Sequence, residues 1–79
     1  MALEKFPAIV ITFNTTTDAM YFEDQGHKAG LKGRLIPVPR AISASCGLAW
    51  MSRLDEQEAL EDLLQRPDLL FAGRHQLDL

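Results

Sequence analysis

Residues 8–13, Ala-Ile-Val-Ile-Thr-Phe, form a nearly continuous apolar run rich in β-branched side chains. Strands covered on both faces have this pattern, so the run predicts a strand at the centre of a sheet. A central strand needs neighbours on both edges and a packed layer on at least one face. The rest of the chain must supply them within 79 residues. That length allows a single domain over residues 1–79 with a thin margin of stability, since a small domain buries a modest share of its surface.

The remaining elements follow from periodicity and breakers. Asn14-Thr15-Thr16-Thr17 offers side-chain oxygens to the free N–H groups of a helix start. Ala19, Phe22, Gly26 and Ala29 then fall on one face of a helix over about 17–29, with Glu23–His27 and Asp24–Lys28 as outer i,i+4 pairs. Gly30 is a natural stop. Gly26 inside the helix costs about 1 kcal/mol against alanine, which close approach of helix to sheet would offset. Residues 34–38 look extended, and Pro37, lacking an N–H, assigns them to a sheet edge. After a loop over 39–46, residues 47–52 form another apolar strand, with Leu48 and Trp50 on one face and Ala49 and Met51 on the other. Asp55 with Glu58 suggests a variant capping box for a second helix. Its stripe is Ala59, Leu60, Leu63 and Leu64, and Pro67 ends it. Leu69–Ala72 is expected as the last strand, with an extension toward Leu77. The predicted fold is therefore α+β, a ferredoxin-like βαββαβ sandwich: an antiparallel sheet with strands one and three central and two helices on one face. A rival is a helix over 46–53, capped by Ser43 or Ser45.

In that layout the uncovered face carries Ala8 and Val10 with Ala49 and Met51, or the alternate set. Both sets are apolar, so self-association into a homo-oligomer through the open sheet face is expected.

Several function classes lose support from composition. The formal net charge is −3 and the eight basic residues are scattered, which disfavours nucleic-acid binding. No apolar stretch is long enough for a membrane span, and Met1 to Pro7 lacks the layout of a signal peptide. One cysteine cannot form a disulfide within the chain, which favours a reducing, cytoplasmic setting. His27, His75 and Cys46 match no compact metal-ligand spacing, so neither a metal nor another cofactor is expected. The acids at 55, 56, 58, 61 and 62 fit a solvated helix face. Gly30-Leu31-Lys32-Gly33 follows a helix and precedes a strand, the reverse of a phosphate-binding loop.

Cys46 is the candidate reactive group. Thiol chemistry needs the thiolate, which a nearby cation or free N–H groups favour. The run Pro39-Arg40-Ala41-Ile42-Ser43-Ala44-Ser45-Cys46-Gly47 supplies a fixed charge at Arg40, hydroxyls at Ser43 and Ser45, and an uncrowding glycine at Gly47. The alternative is a small buried hydrophobe, the commonest fate of a free cysteine.

The segment Leu35-Ile36-Pro37-Val38-Pro39-Arg40, followed by Ile42-Ser43 and Ser45-Cys46-Gly47, resembles the selenium/sulfur carrier-like family of short bacterial proteins. The likeness extends upstream to Phe13, Thr15–Thr17, Ala19 and Glu23 and covers residues 9 to 52. Gln25-Gly26-His27 are more polar than that family's usual aliphatic residues there. The resemblance implies a carrier more than a turnover enzyme: Cys46 would take a chalcogen from a desulfurase-type donor as a persulfide or perselenide and pass it to an acceptor protein. Arg40 and loop N–H groups would steady the terminal anion. A single thiol without a resolving partner must exchange with another molecule, consistent with that role. The competing reading is a ferredoxin-like regulatory module that binds a small ligand or a protein, with Cys46 merely packed.

Overall fold

The computed structural model describes residues 5–42 and 46–79. Along the chain run β1 (Pro7–Thr12), α1 (Thr16–Lys28), β2 (Arg34–Pro37), β3 (Leu48–Arg53), a 3-10 turn (Leu54–Glu56), α2 (Gln57–Leu64) and β4 (Gly73–Asp78). The domain is α+β, and this element order follows the ferredoxin-like pattern, with the 3-10 turn added before α2. Among the described residues all three strand pairings are antiparallel and the sheet order is β2-β3-β1-β4. The apolar runs β1 and β3 are central, and the proline-bearing β2 is an edge. Residues 46–53 do not form the rival helix.

Ile9, Ile11 and Trp50 join Phe22 and Ala19 of α1 and Leu60 and Leu63 of α2 in one core cluster. Both helices therefore lie on the face these three residues share. Val10 pairs with Met51 and Thr12 with Ala49, which puts Ala8, Val10, Ala49 and Met51 together on the other face. Ala8, Val10 and Ala49 are already fully buried within the protomer, and Met51 is half-buried.

Thr15 caps α1, its hydroxyl accepting from Asp18 N–H at 3.1 Å. Gly30 follows at a φ of 91°, a conformation that favours glycine. Asp24 and Lys28 pair at 3.1 Å, whereas His27 turns from Glu23 to the Gly33 carbonyl oxygen at 2.8 Å. Gly26 supplies the close approach: a Cβ there would lie 3.1 Å from Trp50 Cη2.

Two expectations are corrected. Asp55 does not cap α2; it lies inside the 3-10 turn, and α2 starts at Gln57 with no side-chain cap bond. The adjoining Glu56 carboxylate instead accepts from Lys32 N–H at 2.8 Å, tying the turn to the α1–β2 loop. The last strand is Gly73–Asp78, which takes in the expected extension toward Leu77 but not Leu69–Ala72. Leu69 is buried and Leu70 exposed, but Leu69 bonds back to Arg66 as part of a turn, and pairing to β1 begins only with Ala72 N–H on the Thr12 carbonyl. β4 could not be read from an apolar run because it is an edge strand, mostly exposed and polar.

No helix among the described residues is long and apolar enough to cross a membrane.

Candidate functional site

Cys46 sits immediately before β3, where the chain returns from the β2 edge to the centre of the sheet. Val38 N–H donates to the Gly47 carbonyl at 3.1 Å and closes the β2–β3 connection there. Ile42 N–H donates to the Pro39 carbonyl at 3.0 Å, forming a turn that carries Arg40 on its exposed side. The geometry sends residue 46 inward, and the residue is only 5% exposed.

The thiol is not surrounded by hydrocarbon alone. Leu48 N–H donates to Sγ at 3.4 Å, and the Thr16 hydroxyl lies 3.7 Å from it. Thr16 opens α1, so the sulfur lies against the first turn of a 13-residue helix. Backbone N–H groups at a helix start lack intrahelical partners and carry the positive end of its dipole. On its other sides the sulfur belongs to the core cluster that includes Phe13, Ala19 and Leu31. A buried sulfur that accepts from a backbone N–H and meets a hydroxyl differs from one packed only as a hydrophobe, because polar groups are buried where they find partners.

Gly47 is exposed, and a Cβ there would meet nothing within 4 Å, so the backbone beside the sulfur is open. The Arg40 guanidinium forms no hydrogen bond or ion pair with a described residue. Ser43 and Ser45 lie outside the described residues. The structure thus brings Thr16 and the Leu48 N–H to the sulfur, and neither was picked out as a site residue from the sequence. Thr16 was visible only as part of the Thr15–Thr17 cap, thirty positions away from the cysteine.

Among the described residues, no group of three or more His, Cys, Asp or Glu side chains is placed to hold a metal ion. His27 is occupied by the Gly33 carbonyl and packs its ring 5.4 Å from Trp50, while His75 lies on β4 opposite Val10.

A family model described as Putative Se/S carrier protein-like matches residues 8–76, nearly the whole chain. The chain belongs to this family. The match includes the Cys46 segment and extends the likeness beyond residue 52, through α2 and most of β4. No curated protein and no solved structure matches the chain.

Two further features of this Se/S carrier-like domain lie away from the thiol. At the opposite end of β3, a concavity of about 530 Å³ is lined by Phe6, Lys32, Arg34, Arg53 and Glu56, among others. The Arg53 guanidinium stacks 4.0 Å over the Phe6 ring. Glu56 Oε1 is buried without a hydrogen-bond partner among the described residues. On the outer face of α1, Asp68 accepts from Arg66 at 2.6 Å and from the Tyr21 hydroxyl at 2.8 Å. These bonds, Arg66 first, hold the Asp68 carboxyl down at about 2, and Asp68 in turn pushes the Tyr21 phenol up.

Proposed function

We propose that this domain carries sulfur or selenium on Cys46, as a persulfide or perselenide, and hands it to an acceptor protein. The observation that supports the reading is the polar setting of Sγ, held between the Leu48 N–H and the Thr16 hydroxyl at the first turn of α1, in a chain of the Se/S carrier-like family. The Leu48 N–H can bond the inner sulfur of a persulfide, leaving the outer, charged sulfur to face the opening around residue 46.

The transfer is an exchange without net oxidation. The Cys46 sulfur attacks the outer sulfur of a donor persulfide, the donor's S–S bond breaks, and the donor thiol leaves carrying the proton that Cys46 gives up. Cys46–S–SH remains, and the reverse step on an acceptor thiol unloads it. Since Cys46 is only 5% exposed, a bulky donor reaches its sulfur only through a local opening around the residue. Arg40 contributes as an exposed positive charge on the neighbouring turn, drawing an anionic persulfide toward the opening. Ser43, Ser45 and Gly47 complete the assigned segment. In this reading the donor and acceptor are proteins of sulfur or selenium transfer, and the ferredoxin-like sandwich is the frame that holds the thiol.

The test is loading by a small persulfide, such as glutathione persulfide, followed by intact mass. Wild type is expected to gain one sulfur atom and Cys46→Ser none. Wild type that stays unloaded, while an unstructured peptide of the same segment loads under the same conditions, would rule the reading out.

The concavity at the far end of β3 favours a second reading, a module that binds a small ligand through Lys32, Arg34 and Arg53 with Cys46 only packed. Its volume is of the size that small-molecule sites occupy. In that case alkylation of Cys46 would proceed only on unfolding, and Arg34→Ala, remote from the thiol, would be the substitution that abolishes ligand binding.

A further inference from the structure

We propose that two copies of this chain pair reversibly through the free edge of β4, antiparallel and centred on Gln76, to form a continuous eight-stranded sheet. The pairing follows from the edge strand itself and is independent of the carrier reading.

Phe6 and Leu79 exchange both backbone N–H···O bonds, each 3.0 Å. In an antiparallel ladder such reciprocal pairs recur at every second residue. The β1–β4 register then repeats the exchange at Ala8–Leu77 and Val10–His75. The backbone groups of His75, Leu77 and Leu79 are therefore spent on β1. Those of Arg74, Gln76 and Asp78 point away from it, toward an edge that no described strand covers. An open row of this kind is a template for another strand.

The two edges of the sheet differ. β2 has four residues and includes Pro37, which offers no N–H. β4 has six residues and no proline. Placed antiparallel on a second copy with Gln76 opposite Gln76, β4 aligns all its outward backbone groups: two bonds at the Gln76 pair and two at each Arg74–Asp78 pair. This register also sets Arg74 of each copy, whose Nε already holds Glu61 of its own protomer, opposite Asp78 of the other. Shifting the centre to Arg74 or to Asp78 would oppose like charges, which is destabilising across strands. The contact is isologous and closes as a dimer.

The open sheet face, where self-association was expected, is the poorer surface. Its strand residues include the cations Arg34 and Arg53 and no carboxylate, so two copies face to face would set like charge against like charge. Ala8, Val10 and Ala49 have no exposed area left to bury there. Edge pairing leaves Cys46, at the turn into β3, clear of the interface in both copies.

A contact of six backbone bonds, with each Arg74 shared between its own Glu61 and the facing Asp78, is small, so it should depend on concentration. Sedimentation velocity from about 10 μM to about 1 mM should show a shift toward twice the protomer mass, the behaviour of a transient interface. Gln76→Pro removes only an outward N–H, so it should keep the protomer's circular dichroism and abolish the shift. Amide exchange of wild type provides an arm that needs no variant: on concentration, Arg74, Gln76 and Asp78 should gain protection while His75 and Leu77 do not. A protomer mass throughout the range overturns the proposal. So does a dimer that survives Gln76→Pro, or protection gained on β2 in place of β4.

Discussion

Gly26→Ala tests how tightly the first helix is pressed onto the sheet. In an exposed helix this change gains about 1 kcal/mol from propensity alone. Here the new methyl would lie 3.1 Å from Trp50 Cη2, with Cζ2 at 3.4 Å and Cζ3 at 3.5 Å. Whether the indole can retreat decides the sign. Trp50 is fully buried, its N–H donates to the Ser52 hydroxyl at 2.7 Å, and Phe22 packs edge-on at 5.4 Å. With these restraints an overpacking cost of about 1–3 kcal/mol applies. The propensity gain offsets part of it, leaving a net loss of roughly 1 kcal/mol. In a domain of this size that lowers the melting temperature by about 4–8 °C.

Urea unfolding followed by far-UV circular dichroism measures the change, because the single tryptophan is itself to be varied. Trp50→Phe removes the crowding atoms, and in that background Gly26→Ala should recover its gain. The two substitutions should therefore couple by about 2 kcal/mol. A stabilising Gly26→Ala of about 1 kcal/mol, equal in both backgrounds, would refute the claim that the indole is held in place.

Thr15→Ala should cost about 1 kcal/mol in urea unfolding through the lost cap of α1, whereas Asp55→Ala, which removes no cap bond, should leave the midpoint nearly unchanged. Asp68, held at about 2 in the fold against an ordinary value of 3.8, adds stability that is present above the ordinary value and lost as pH falls toward 2. Asp68→Asn should therefore flatten the dependence of melting temperature on pH across that window, and an unchanged acid slope would contradict the assignment. Gly33→Ala should destabilise more than Gly26→Ala, because its Cβ would clash with the Met51 carbonyl oxygen and lie 2.6 Å from Trp50 Cζ2, and backbone cannot step aside as a side-chain tip can. Thr16→Val should change the rate of Cys46 alkylation in the native protein without changing it in denaturant, since only the folded state places the hydroxyl by the sulfur.

Local signals carried most of the architecture. The apolar runs of β1 and β3, Pro37 on the edge and the threonine cap of α1 are each decided by residues within one element. The two misjudged elements were decided by distant partners. Asp55 and Glu58 fit a capping pattern, but the Glu56 carboxylate is committed to Lys32, far along the chain, and the backbone takes a 3-10 turn first. Leu69 to Ala72 looks like a strand by composition, yet Leu69 is apolar because a turn drops it into the core. The true strand is polar because only its backbone is needed. The candidate site shows the same division: the cysteine stands out in the sequence, while the hydroxyl and N–H that meet its sulfur come together only through the register of β3 and the placement of α1.

A thiol tucked where a helix start meets a strand start ties its own chemistry to the folding equilibrium of the domain. Any atom bonded to Sγ must either wedge α1 away from β3 or swing residue 46 out of its niche, and both sacrifice packing that the bare thiol keeps. A derivatised chain should melt below the unmodified one, which turns a thermal scan into a gauge of occupancy. In the carrier reading proposed above, it would also tilt the balance toward release, because the domain regains its best packing by letting the added atom go.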